Sequence, residues 1–336
     1  MSCVFLCSRF APQTERGLWQ PRELLEQRAL RLALGMGVLL CVPSLSGCCL
    51  LNLYLKSAEL KYPLPPEQAV QVDRDRTYKE VDGKRLLFDL YRPADAGEPL
   101  PVVIMIHGNG PQWMLDEAKD WGNFTGFGRA IAGRGHAAIA FNHRGSSDLS
   151  GLPEEASDVE AMVAYVRAHA VELGVDPERI CLFSFSGGGA YVGWALRDRP
   201  AYLRGLVAYY SVLDLESVEG MRSDSVSAED WRAYSASSHL QPGGAPAPRM
   251  LVARAGQDRE DINRSIDVFV ERARAAQLPI ELLEHPEGRH GFDVLDEHPR
   301  TREIIARTLE FIDEVFARVE EPAQAASQSA STQASQ

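Results

Sequence analysis

Three side chains in this sequence could together run nucleophilic chemistry: Ser186, Asp258 and His290. Ser186 lies in Arg179-Ile180-Cys181-Leu182-Phe183-Ser184-Phe185-Ser186-Gly187-Gly188-Gly189-Ala190, where an apolar strand-like run drives into a serine and glycines follow at once. A helix-like segment, Ala190–Leu196, comes next. Strand, serine, helix is the order of a nucleophile elbow, a tight turn that lifts the hydroxyl above the end of a sheet. Side chains next to such a serine would collide, and glycine at 187 and 188 relieves that crowding. The usual pattern is G-x-S-x-G; here Ser184 stands at its first glycine, one small residue for another. Read alone, the stretch also fits an ordinary Gly-rich strand end, so its partners decide.

A serine hydroxyl is a weak nucleophile near neutral pH and needs a base that a carboxylate holds in place. Met250-Leu251-Val252-Ala253-Arg254-Ala255-Gly256-Gln257-Asp258 supplies an acid straight after a strand. Pro286-Glu287-Gly288-Arg289-His290-Gly291-Phe292 supplies a histidine in a Gly-flanked loop after the following strand. The chain order is serine, acid, histidine, as an elbow requires. Asp214, Glu260 and Asp261 compete for the acid, and His285 and His298 for the base; strand position and order favour Asp258 and His290. Charge developing on a carbonyl oxygen needs two aimed N–H groups, each worth roughly 3–4 kcal/mol. Gly187 supplies one. Asn109 supplies the other, from His107-Gly108-Asn109-Gly110, and His107 props that loop.

These residues need a scaffold, and the hydrophobic pattern provides one. Pro101–Ile106 is a continuous β-branched run of the kind found in buried parallel strands. Strands are expected also at Tyr78–Val81, Leu86–Pro93, His136–Phe141, Arg204–Ser211, Arg249–Ala255 and Ile280–Leu283. Between them, helices are expected at Gly122–Arg134 and Glu155–Val171, on a face beginning at Ile262, and from Ile304 to Val319. Alternating strands and helices argue for an α/β domain with a mainly parallel sheet covered on both faces, its chemistry at the carboxyl ends of strands. Residues 215–248 break the alternation and read as an inserted loop or small cap over those ends. The run 56–75 reads as a linker, the catalytic domain as 76–320, and 321–336 as a tail too poor in apolar residues to fold.

His107-Gly108, the elbow Ser184–Gly189, Asp258 and His290-Gly291-Phe292 together resemble the α/β-hydrolase superfamily. Ala208-Tyr209-Tyr210-Ser211 and Gly288-Arg289-His290-Gly291-Phe292-Asp293 are similar to dienelactone hydrolase-like esterases and related carboxylesterases. Dienelactone hydrolases proper use a cysteine nucleophile where this chain has Ser186. The resemblance covers roughly 76–320 and implies an α/β-hydrolase fold with an eight-stranded sheet, a serine acyl-enzyme and no cofactor. The expected activity is cleavage of a small carboxylic ester or lactone. A serine peptidase or thioesterase of the same fold, or a binding protein on a dead hydrolase scaffold, is the alternative.

Composition sets the remaining bounds. The net charge of −12 and the absence of a long basic run speak against nucleic acid as a partner. Five of the six cysteines, Cys3, Cys7, Cys41, Cys48 and Cys49, fall in the first fifty residues; Cys181 alone lies in the body and reads as a buried small hydrophobe. No Cys/His spacing suggests a metal. Asn123-Phe124-Thr125 matches a glycosylation sequon, a match that short motifs often give by chance. The first 31 residues show no clear role. Residues 32–55 carry no charge, with Arg28 and Arg31 before them, and a bilayer takes roughly 20 such residues. Leu45-Ser46-Gly47-Cys48 resembles the lipobox of bacterial lipoproteins, which implies lipid on Cys48. A lipoprotein signal and a retained transmembrane anchor both put the catalytic body outside the cytoplasm on a membrane tether, and a buried soluble helix is the remaining reading.

Overall fold

The computed structural model describes residues 47–97 and 99–317. The chain forms two compact units, Met1–Leu50 and Leu51–Gln336. Of the first, only the start of the helix Gly47–Ser57 is described, and the expected roles of residues 1–46 and of the tail from 321 lie outside the described residues.

The second unit is built on eight strands: β1 (Val70–Val81), β2 (Lys84–Pro93), β3 (Leu100–Ile106), β4 (Ala137–Phe141), β5 (Val175–Phe185), β6 (Leu203–Tyr209), β7 (Arg249–Ala255) and β8 (Ile280–His285). They form one sheet in the order β1-β2-β4-β3-β5-β6-β7-β8. β2 runs antiparallel to β1 and β4, and every other pairing is parallel. Every residue of β3 and β4 is buried, as continuous apolar runs at the centre of a covered sheet must be.

Side chains alternate between the two faces of the sheet, so each strand feeds two cores. One lies under the helices Leu152–Ala168 and Glu260–Ala275, around Ile104, Leu182, Met162 and Phe269. The other lies under Gly122–Ala132 and Pro299–Phe316, around Met105, Phe183, Phe127 and Ile312.

The structure differs from the sequence expectation at the front of the chain. The segment 56–75 is no linker: its last part is the start of β1 and Leu60 is buried. The reason is a hairpin, Val81 pairing with Lys84 across Asp82-Gly83 with both turn residues at positive φ, which zips β1 onto β2 well upstream of Tyr78. The domain boundary at 76 moves upstream with it. Asn52 is buried, its Oδ1 accepts from Trp121 Nε1 at 3.2 Å, and Lys56 pairs with Glu117 at 3.1 Å, so these residues belong to the body.

The insertion at 215–248 exists, and none of its residues lines the cavity at the serine. Trp231 is buried, and its indole donates to the Leu215 carbonyl at 2.8 Å. Arg272, on the helix Glu260–Ala275, lies 3.5 Å from Asp214. Ser237 Oγ, within the segment, accepts from Arg272 Nη1 at 3.0 Å, which holds the segment against that helix.

Candidate active site

Ser186 follows β5 at φ +52°, a left-handed conformation that costs a serine energy and that the surrounding turn must impose. The segment after it is a 3-10 turn, Ser186–Tyr191, and an α-helix begins only at Gly193. Close approach explains the glycines. A Cβ on Gly188 would meet the His107 carbonyl at 2.6 Å, and one on Gly187 would meet Asn109 Oδ1 at 2.1 Å and its amide nitrogen at 2.8 Å. Ser184 stands where a glycine is usual because its hydroxyl has partners in the core: Ser211 Oγ at 3.2 Å and the Val207 carbonyl at 3.4 Å.

The three expected side chains meet. His290 Nε2 lies 2.9 Å from Ser186 Oγ, and His290 Nδ1 lies 2.6 Å from Asp258 Oδ2. The Asp258 side chain is almost wholly buried, whereas that of His290 is 40% exposed. Asp258 Oδ1 accepts from the Arg259 amide at 2.7 Å, which fixes the carboxylate. The competitors are engaged elsewhere. Asp214 accepts from Ser217 Oγ at 2.6 Å and from Ser237. Glu260 pairs with Arg264 and Asp261 with Arg259. His285 is buried against Thr301 Oγ1 at 3.0 Å, and His298 caps the last helix through the Arg300 amide.

The loop after β3 carries Asn109 up against Gly187, and among the described residues the Asn109 amide donates to no protein acceptor. Its support is a stack the sequence did not announce. The His107 and His143 rings lie parallel with centroids 3.5 Å apart. His107 Nδ1 donates to the Gly108 carbonyl at 2.8 Å and its Nε2 accepts from the His143 amide at 3.2 Å, so the ring is the neutral Nδ1–H form. Burial pushes His107 well below the usual histidine pKa, and His143 beside it adds to the effect. The next residue, Arg144, holds Asp158 through Nε at 2.8 Å and Nη2 at 2.9 Å, and Lys79 reaches the same carboxylate at 2.6 Å. Burial would raise the pKa of Asp158, but these bonds outweigh it and hold the carboxyl below its ordinary range. His107 is therefore a prop, as expected. The rest of the prop was missed because nothing in Asn142-His143-Arg144-Gly145 marks the partner of Arg144 fourteen residues downstream.

Ser186 and His290 open into a cavity of about 350 Å³. Its walls are largely apolar: Leu55, Ala58, Met114, Phe124, Phe185 and Leu295 contribute, and no Asp, Glu, Lys or Arg lines it. The end of the helix Gly47–Ser57 forms one side, where the sequence suggested an anchor, and none of residues 215–248 takes part. Asn123 also lines the cavity and Phe124 is buried, so the sequon sits where a glycan has no room. Tyr210, at φ +38°, packs its ring 4.6 Å from that of His290 and donates to Asp293 Oδ1 at 2.7 Å. Burial pushes the Asp293 carboxyl up to about 6. Cys181 is buried and free, with burial raising its thiol pKa, in keeping with its reading as a small hydrophobe. Among the described residues no group of His, Cys, Asp and Glu could hold a metal.

Comparison with known proteins fits this geometry. The BD-FAE family model matches residues 88–194, from β2 through the elbow. A probable carboxylic ester hydrolase of Mycobacterium tuberculosis, LipM, is 24% identical over 270 residues, covering 73% of this chain and 62% of its own. A probable isoprenylcysteine alpha-carbonyl methylesterase of Oryza sativa subsp. japonica is 30% identical over 154 residues, covering 45% of this chain and 35% of its own. The chain thus spans only part of the length of these relatives. Among solved structures, the thermophilic esterase Est2 of Thermogutta terrifontis superposes with a TM-score of 0.57 at 23% identity, over 76% of this chain and 97% of that one. With the sheet order and the crossovers on both faces, these matches establish the α/β-hydrolase fold.

Proposed function

We propose that the protein is a serine hydrolase of carboxylic esters, working through an acyl-enzyme. The observation that carries this reading is the hydrogen-bonded line Ser186–His290–Asp258, 2.9 Å and 2.6 Å, at the floor of an uncharged cavity. His290 takes the hydroxyl proton as Ser186 Oγ attacks the ester carbonyl, and Asp258 stabilises the imidazolium. The amides of Asn109 and Gly187 hold the oxyanion. The C–O bond to the alcohol then breaks as His290 returns the proton to the departing oxygen. Water adds to the acyl-enzyme with His290 as base, and the acid leaves as Ser186 recovers its proton.

The relatives and neighbours named above are esterases or probable ester hydrolases, and Est2 has been solved phosphorylated by paraoxon. The uncharged lining favours a neutral ester or lactone with apolar substituents, the substrate type of a dienelactone hydrolase-like esterase. The catalytic domain runs from about Leu51 to Phe316, tethered to a membrane on its outer side through residues 32–50 or through lipid on Cys48. That placement rests on the uncharged run and on Arg28 and Arg31 before it. Among the described residues no helix is long and apolar enough to cross a membrane.

Paraoxon should label the protein once, at Ser186, and Ser186→Ala should lose both the label and p-nitrophenyl acetate turnover while keeping its melting temperature. Retained turnover would mean a different nucleophile. Faster cleavage of a p-nitroanilide than of the matching ester would favour a peptidase. Mass spectrometry of the mature N-terminus tests the tether; an intact Met1 with unmodified Cys48 removes the lipoprotein form.

A further inference from the structure

Among the described residues the large apolar side chains left in water are Leu53, Tyr54, Trp113 and Val171, and the first three either line the catalytic cavity or adjoin a residue that does. Tyr54 lines the cavity and is 55% exposed; Leu53, beside it in the helix Gly47–Ser57, is 64% exposed. Trp113, 43% exposed, accepts through its carbonyl from Asn52 Nδ2 at 3.5 Å, and the residue after it, Met114, enters the lining. Single exposed hydrophobics are ordinary on a protein surface; a group of them rimming a ligand opening marks an interaction surface.

The sequence that leads into this rim says what covers it. Residues 32–46 carry no charge and run directly into the helix that bears Leu53 and Tyr54. Tyr54 is six residues from Cys48, and six residues reach at most about 20 Å even when fully extended. A bilayer that holds Cys48 by its lipid, or holds the segment before it, therefore keeps the mouth within that distance. Electrostatic attraction to anionic lipid adds little: the lysines beside the rim, Lys56 and Lys84, are paired with Glu117 and Asp116, and the chain carries −12. The contact is apolar, with a tyrosine and a tryptophan of the kind that settle at headgroup depth.

We propose that the mouth of the cavity docks on a neutral lipid surface through Leu53, Tyr54 and Trp113, so that a lipophilic, uncharged ester passes from the bilayer to Ser186 without crossing water. The substrate part rests on the serine-esterase reading, whereas the docking does not. The cavity meets such a ligand with no fixed charge.

The test uses the full chain in phosphatidylcholine vesicles carrying brominated acyl chains, with Trp19→Phe to remove one indole near the N-terminus. The fluorescence that Trp113→Phe removes should be quenched by the bromines and protected from aqueous iodide. The pair Leu53→Ser and Trp113→Ser, both outside the cavity lining, should keep p-nitrophenyl acetate turnover within about twofold. On a long-chain ester embedded in the vesicle it should lose about tenfold, equivalent to ~1.4 kcal/mol of interfacial contact. Trp113 reached by iodide and untouched by bromine would overturn the docking. Trp113 reached by neither would mean that residues 32–46 cover the rim, which overturns it equally. Failure of the esterase reading shows separately, as turnover that survives Ser186→Ala while the quenching persists.

Discussion

Two histidine sites stand beyond the carboxyl ends of strands of one sheet, His290 after β8 and the pair His107 and His143 after β3 and β4, and only one of them is placed to move protons. His290 has a carboxylate on one nitrogen, a hydroxyl on the other, and a side chain 40% open to solvent. His107 and His143 are fully buried, stacked on each other, and bonded only to backbone groups. Burial is the largest influence on both rings and pushes both below the usual histidine pKa; the Asp158 charge and the backbone bonds at His143 do not offset it. Residue type and position after a strand are the same in both cases. The partner atoms and the access to water make one a base and the other a bracket.

The contrast breaks most directly at the carboxylate. Asp258→Asn should leave the fold intact and lower kcat on the order of ten-thousand-fold, because an amide facing Nδ1 favours the wrong tautomer; stopped-flow or steady-state turnover measures it. A loss below about tenfold would place the acid elsewhere.

On the bracket side, Asp158→Ala removes the carboxylate that secures Arg144 and Lys79 and leaves both cations short of a partner. Because Asp158 is buried, the cost should be about 3–5 kcal/mol, read as a fall in chemical-denaturation midpoint. Turnover per folded molecule should fall much less than for Asp258→Asn.

His107→Gln sharpens the same point. Losing one buried hydrogen bond should destabilise by about 1–3 kcal/mol. The midpoint of the pH dependence of kcat/KM should stay where it is, since His107 touches neither Ser186 nor Asp258; a moved midpoint would make His107 part of the proton path.

Asp293 gives an effect on stability that is read only against pH. Its folded pKa of about 6 lies above the 3.8 of an ordinary aspartate, so the folded state holds this proton more tightly than the unfolded chain does. The stabilisation is full below pH 3.8 and is lost as pH rises through about 6, a difference of about 3 kcal/mol. Asp293→Asn keeps an acceptor for Tyr210 and removes that dependence. Its melting temperature should therefore change less between pH 4.5 and 7.5 than that of the native protein.

The sequence alone determined the alternation of strands and helices and the serine, acid and histidine that follow three of those strands. Both are local: a buried strand writes itself as an apolar run, and an elbow as a serine followed by glycines. The Asp82-Gly83 hairpin was equally legible and would have extended β1. Only the tertiary structure decided which wall closes the cavity, because an uncharged stretch reads the same whether it enters a bilayer or lies across a site. There the helix ending at Ser57 took the place expected of residues 215–248, none of which lines the cavity. It also decided that His143, Arg144 and Asp158 brace the Asn109 loop and that Tyr210 walls His290. Those contacts join residues far apart in the chain, and no periodicity or spacing records such a pairing.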